Sequence, residues 1–194
     1  MKLLFIYFFL FIVFQSSAKT DDIRDFEIEE ISIGDSLLNY YSKETIEEAY
    51  NNASYYKDET FAVLFIPKNS KNYDKIQVTI KPTDKSHKIF GIDGVLYFDD
   101  NIDECNKKKK EIVTDLEKIF TDFNKVDDDD YYIADPTKNS FDYGTWFFFN
   151  SGGFVSVNCT KMGKEVREKN GWRDQLAVSV TSKVLEKFLS NSAY

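Results

Sequence analysis

His87 is the only histidine in the 194-residue chain. Acid–base, nucleophilic and zinc chemistry all draw on histidine, so its setting bears on each of them. It lies in Thr83-Asp84-Lys85-Ser86-His87-Lys88, a polar stretch between two apolar runs. A Ser-His-Asp triad needs an activated serine beside it, and the chain has no G-x-S-x-G elbow to supply one. The stretch reads as an exposed turn. One histidine and two separated cysteines, Cys105 and Cys159, do not form a usual zinc ligand set. Asp127-Asp128-Asp129-Asp130 is the densest run of hard-cation ligands. It lacks the alternating ligands, central glycine and terminal glutamate of an EF-hand loop. It reads as a solvated acidic loop that follows a helix.

Other carboxylates are less specific still. Asp35 beside Ser36, and Asp93, are candidates for an acid–base pair, but among 33 acidic residues some pair always lies close. Gly152-Gly153 fits a hairpin turn, since neither G-x-G-x-x-G nor a P-loop lysine accompanies it. Trp146 with Phe147, Phe148 and Phe149 is either an aromatic ligand platform or a strand buried on both faces. Its unbroken apolarity favours the buried strand. No residue is assigned to catalysis or to a metal, and no cofactor is expected.

The formal charge of −8 argues against a nucleic-acid partner, which requires a basic face. The hydrophobic fraction of 42%, with 16% aromatics, can fill a core and argues against disorder.

The N-terminus carries an address. Lys2 precedes an unbroken apolar run from Leu3 to Phe14, and Gln15-Ser16-Ser17-Ala18 follows with small residues at the cleavage positions. That layout predicts a signal peptide over 1–18, cut after Ala18. The run is too short for a spanning helix, which takes about 20 apolar residues. Cleavage removes Lys2 and no acidic residue, so 24 basic residues face 33 acidic ones, a net charge of −9. The expected product is periplasmic or secreted, with no membrane insertion once the leader is gone. An oxidising compartment favours a disulfide between Cys105 and Cys159. Free thiols and a catalytic cysteine are the competing readings.

Beyond the leader, residues 19–27 read as a flexible lead-in and 28–194 as a single domain. Residues 36–52 read as two short helices or one kinked helix, with Asp35 or Ser36 capping the first part and Ser42 or Thr45 the second. Strand signals follow at Phe61–Ile66, closed by Pro67, at Ile76–Ile80, and at Lys88–Phe98, where Gly91 and Gly94 suggest a bulge or a bend. Asp100 or Asn101 caps a long helix whose Lys107–Lys110 run faces solvent. Thr145–Phe149 and Phe154–Cys159 form a hairpin. Met162–Arg173 reads as a connection. Leu176, Val178 and Val180 alternate in a last strand, and Val184 to Leu189 suit a C-terminal helix. Alternating strands predict an α+β fold: mainly antiparallel sheet, one long central helix, and short N- and C-terminal helices. Its two similar halves hint at a duplication.

Glu29-Glu30-Ile31-Ser32-Ile33-Gly34-Asp35-Ser36-Leu37-Leu38, Ile89-Phe90-Gly91-Ile92-Asp93-Gly94, Asp103-Glu104-Cys105 and the Ser151–Cys159 hairpin carry a resemblance. Together they resemble a group of small exported proteins from marine bacteria with A/T-rich genomes. The resemblance implies an exported bacterial α+β domain; the group has no assigned activity and lends no catalytic residue. In a eukaryotic secretory route, Asn52-Ala53-Ser54 and Asn158-Cys159-Thr160 are candidate glycan sites. The expected function is a non-catalytic periplasmic binding or accessory domain, acting on a ligand or envelope protein not identified by sequence. The alternatives are an exported hydrolase using unidentified carboxylates, and an envelope assembly or structural component.

Overall fold

The computed structural model describes residues 23–66, 70 and 72–191. The predicted leader 1–18, residues 19–22 of the lead-in, and Pro67 lie outside the described residues. A 3-10 turn at Ile23–Asp25 opens the described chain, with Ile23 buried in the core. Phe26 packs edge-on to Phe120, with ring centroids 5.7 Å apart. The second part of the stretch read as a lead-in is therefore packed against the domain.

A small hairpin follows, β1 (Glu27–Ile28) and β2 (Ile31–Ser32), and then a second 3-10 turn at Leu37–Asn39. Helix α1 (Lys43–Tyr50) starts where Ser42 Oγ accepts from the Thr45 N–H. Strands β3 (Ser54–Tyr55), β4 (Ala62–Ile66), β5 (Lys75–Ile80) and β6 (Ile89–Tyr97) run as a meander. Helix α2 (Ile102–Ile119) opens at Asn101, whose Oδ1 accepts from Glu104 N–H while its Nδ2 donates to the Glu104 carboxylate. A second meander then begins with β7 (Phe123–Tyr131), β8 (Phe141–Phe149) and β9 (Phe154–Lys161). Helix α3 (Lys164–Asn170) interrupts it before β10 (Gln175–Thr181), and α4 (Lys183–Asn191) closes the described chain.

Strands β3 to β10 form one antiparallel sheet of eight, in the order β3-β4-β5-β6-β10-β9-β8-β7, apart from the β1–β2 hairpin. Each half is a helix followed by four strands. The halves meet where β6 and β10 pair at the centre, Gly94 opposite Val178. Alternate residues of each strand point to one face: Ile76, Val78 and Ile80 on β5, Leu176, Val178 and Val180 on β10, Val155 and Val157 on β9. Helices α1 and α2 and the β1–β2 hairpin cover that face and enclose the main core. A disulfide joins Cys105, in the first turn of α2, to Cys159 on β9, with Cα atoms 5.9 Å apart and both residues fully buried.

The α+β class, the antiparallel sheet and the long helix agree with the sequence reading. Several elements differ from it. Asp127–Asp130 is not a loop but the middle of edge strand β7, paired residue by residue with Thr145–Asp142. Aspartate is depleted in strands, yet at a sheet edge its charge is tolerated because it stays in water and wards off other chains. The stretch read as a connection holds α3, framed by Gly163 and by Gly171 at φ +68°. The expected bulge is present: Thr79 faces Gly91 while Ile80 faces Ile89, so Phe90 is an extra residue in β6.

Candidate functional site: the open face of the sheet

Among the described residues, the alternate residues on the other face meet no covering layer of helices. α4 folds back over one end of it, where Leu185 lies so close to Gly91 that a Cβ there would sit 2.7 Å from its Cδ2. Phe188 of α4 packs against Phe61, with centroids 4.9 Å apart. The β7–β8 connection, with Tyr132 and Ile133, and the α3–β10 connection, with Trp172 and Arg173, rise at the other end. Between these walls lies a trough with two adjoining hollows of about 570 and 550 Å³.

One lane of its floor follows from the strand register. Phe65 faces Gln77, Gln77 faces Asp93, Asp93 faces Ser179, Ser179 faces Ser156, and Ser156 faces Trp146. Four polar residues thus run between two aromatic ones across six strands, about 24 Å at the usual strand spacing. Asp93 lies near the middle and touches water only through the trough. Burial pushes its carboxyl up to about 6, against the Ser179 hydroxyl and the Lys75 ammonium. Burial in turn lowers Lys75, which Asp93 opposes. The Lys75 Nζ lies 3.8 Å from the centre of the Phe65 ring, and the Arg173 guanidinium 4.1 Å from that of Tyr97.

The far end is acidic. Asp142 on β8 accepts from Asn158 Nδ2 at 2.8 Å and Thr160 Oγ1 at 2.7 Å. Burial raises its carboxyl, and the hydroxyl of Thr160 and the amide of Asn158 offset part of the rise. Asn158 Oδ1 is buried without a hydrogen-bond partner. Trp146 lies flat along its own strand. A Cβ on Gly144 would sit 2.0 Å from the Trp146 ring, so the glycine is what lets the ring rest on the floor. Gly144 is flanked by Asp128 on one neighbouring strand and Asn158 on the other. The aromatic run is therefore not a strand buried on both faces: Phe147 and Phe149 enter the core while Trp146 and Phe148 face away from it.

Of the residues singled out in the sequence, Asp93, Trp146, half of the acidic run, and Asn158 and Thr160 of the second sequon converge on this face. The others do not. Asp35 accepts from the Tyr40 hydroxyl, and Ser36 caps the 3-10 turn while its hydroxyl donates to the Ser86 carbonyl. Neither meets a second carboxylate. His87 is in a turn, as expected, but half-buried and at φ +49°, with its ring tilted against Tyr50 and its Nδ1 buried without a partner. Asp135 is buried too. Burial opposes its charge, but the hydroxyls of Ser140 and Thr137 and their N–H groups outweigh it and hold the carboxyl well below the usual range. It ties down the β7–β8 connection. No group of three His, Cys, Asp or Glu among the described residues is placed to hold a metal ion.

Asp142, Ser179 and Gln77 were not singled out by sequence, and Asn158 and Thr160 only as a glycan sequon. Their signal is the polar half of each alternating strand, such as Ser156-x-Asn158-x-Thr160, which by itself reads only as a solvated face. Asp93 and Asp142 are three strands and four residues apart, about 19 Å along the sheet. That exceeds the separation of a carboxylate pair working on one bond. No described helix is long and apolar enough to cross a membrane. No family model, curated protein or solved structure matches the chain.

Proposed function

We propose that this protein is an exported, non-catalytic binding domain and that the open face of its eight-stranded sheet is the surface it binds with. The observation that carries this reading is the trough. Burying one sheet face under helices is enough to make a core, and the other face is usually left flat and charged. Here it is walled on opposite sides and floored with polar and aromatic groups, of which Gln77, Asp93, Trp146, Asn158 and Ser179 are part-exposed while Ser156 and Thr160 are buried. Such a mixture of a few polar groups with aromatic surface in a concavity suits ligand recognition. The wide spacing of Asp93 and Asp142 weighs against the hydrolase alternative. The Asp-lined edge of β7 weighs against assembly through strand addition.

Export rests on the leader-like layout of residues 1–18, with which a formed disulfide is compatible. Its test is N-terminal sequencing of protein recovered from outside the cytoplasm, which should begin at Lys19. The binding role is tested by a thermal-shift screen against sugars, amino acids, amines and short peptides. A ligand that binds the folded state raises the melting temperature by mass action. Hits are then mapped by amide chemical shifts. Shifts centred on Asp93, Ser156 and Ser179 support the reading, and hits that map only to the helical face overturn it.

A further inference from the structure

Resting on that reading, we infer that the Trp146 end of the trough receives a lysine or arginine side chain from a basic protein partner. The trough contains its own template for such a contact. At one end Phe65 and Tyr97 each carry a cation of this chain, Lys75 and Arg173. At the other end Trp146 lies flat on the floor over Gly144, and among the described residues no lysine or arginine lies over it. Trp is the strongest cation–π platform of the three ring types.

Its surroundings carry the complementary charge. Asp128 flanks Gly144 on one neighbouring strand and Asn158 on the other, and Asp142, held by Asn158, lies two residues before Gly144 on the same strand. Lys125 pairs with Asp127, which faces the helical side, and among the described residues none pairs with Asp128. Asn158 Oδ1 is a buried acceptor with no donor among the described residues. An open ring face with an exposed carboxylate on the adjoining strand is a combination that a guanidinium or ammonium group satisfies.

The scale favours a protein over a small amine. A small amine would occupy only the ground between Trp146 and Asp128. The polar lane continues for about 24 Å beyond it. On the lip, Ile133 is 66% exposed and the Tyr132–Trp172 ring pair stands beside it. Aromatic and aliphatic anchors around a charged pocket are how protein interfaces are built.

The test uses the purified protein beside Trp146→Phe, whose emission comes from Trp172 alone and is subtracted to leave that of Trp146. The probe is a synthetic peptide alternating arginine with leucine and serine. Its controls are the same peptide with glutamate for arginine, spermidine, and a chitosan oligosaccharide. The expected result is a change in Trp146 emission with the arginine peptide alone, weakened by added salt. Asp128→Lys, at an exposed position, and Gly144→Ala, which lifts the ring off the floor, should each weaken binding about tenfold or more. Undiminished binding in both variants overturns the inference, as does equal affinity for spermidine or chitosan. If the peptide leaves Trp146 unchanged while another ligand shifts the trough amides, this inference fails and the binding role stands. If no ligand perturbs the trough, both fail.

Discussion

Asp93 is a carboxylate in the floor of a sheet, and its protonation is coupled to folding. The folded protein holds the proton up to about 6, whereas an unperturbed aspartate releases it near 3.8. Between those values the folded state binds more protons than the unfolded one, so this group's contribution to stability falls as pH rises. The penalty is complete above the folded value. Asp93→Asn removes it. The variant should melt above the wild type at about pH 8, and the two should melt together below about pH 3. Differential scanning calorimetry across that range decides the matter, and a lower melting temperature for the variant at pH 8 would sink the account. The sequence presented Asp93 only as one acid among 33, because the residues that surround it come from strands distant in the chain. Trp146 was legible as an aromatic in a strand. What turned its ring to the open face was the period of two and the missing side chain at Gly144, and only the second is visible by name.

The elements divide by whether their local chemistry agrees with their tertiary place. Ser42 and Asn101 cap α1 and α2 and were readable as caps, since the side chain and the N–H it satisfies are three residues apart. The β1–β2 hairpin was not readable. Its two turn residues are Glu29 at φ +53° and Glu30 at φ +67°, a left-handed pair that hairpins normally assign to Asn and Gly. Exposed Glu30→Gly should relieve that strain and stabilise the protein by about 0.5–1 kcal/mol, after the entropy cost of glycine. Urea titration at matched m-values measures it. Strand β7 was hidden for a related reason, because its four aspartates advertise a loop. Their place is a nine-residue edge with one unpaired side. Replacing Asp128 and Asp130 with valine raises strand propensity and removes the guard. The strand should persist, and self-association should rise in light scattering as protein concentration increases.

At the scale of the whole molecule, the disulfide and the central strand pair have different jobs. The bond between Cys105 and Cys159 lies wholly inside the second half, tying α2 to β9. Closing a loop of that separation stabilises the fold by about 4 kcal/mol in the chain-entropy view. Reduction should therefore lower the urea midpoint, and hydrogen exchange should quicken in α2 and β8–β9 before β4–β5. Uniform acceleration across both halves would contradict this. The Arg167–Asp174 ion pair at 2.6 Å and the Arg167–Asp100 pair at 2.8 Å hold α3 and the start of β10 to the loop after β6. Together with the β6–β10 ladder they form the seam between halves.

That ladder also sets an order of events. β6 is synthesised early and its second neighbour, β10, arrives almost last. A chain emerging N-terminus first can complete the meander β3–β6 while one long apolar-sided edge of β6 stands open. The β7–β9 hairpins that follow cannot close it. For the whole interval until Leu176–Thr181 emerges, the strand that will be most central is an exposed border of a half-built sheet. The period of greatest risk for this protein thus falls during its own synthesis, and ends only when β10 docks.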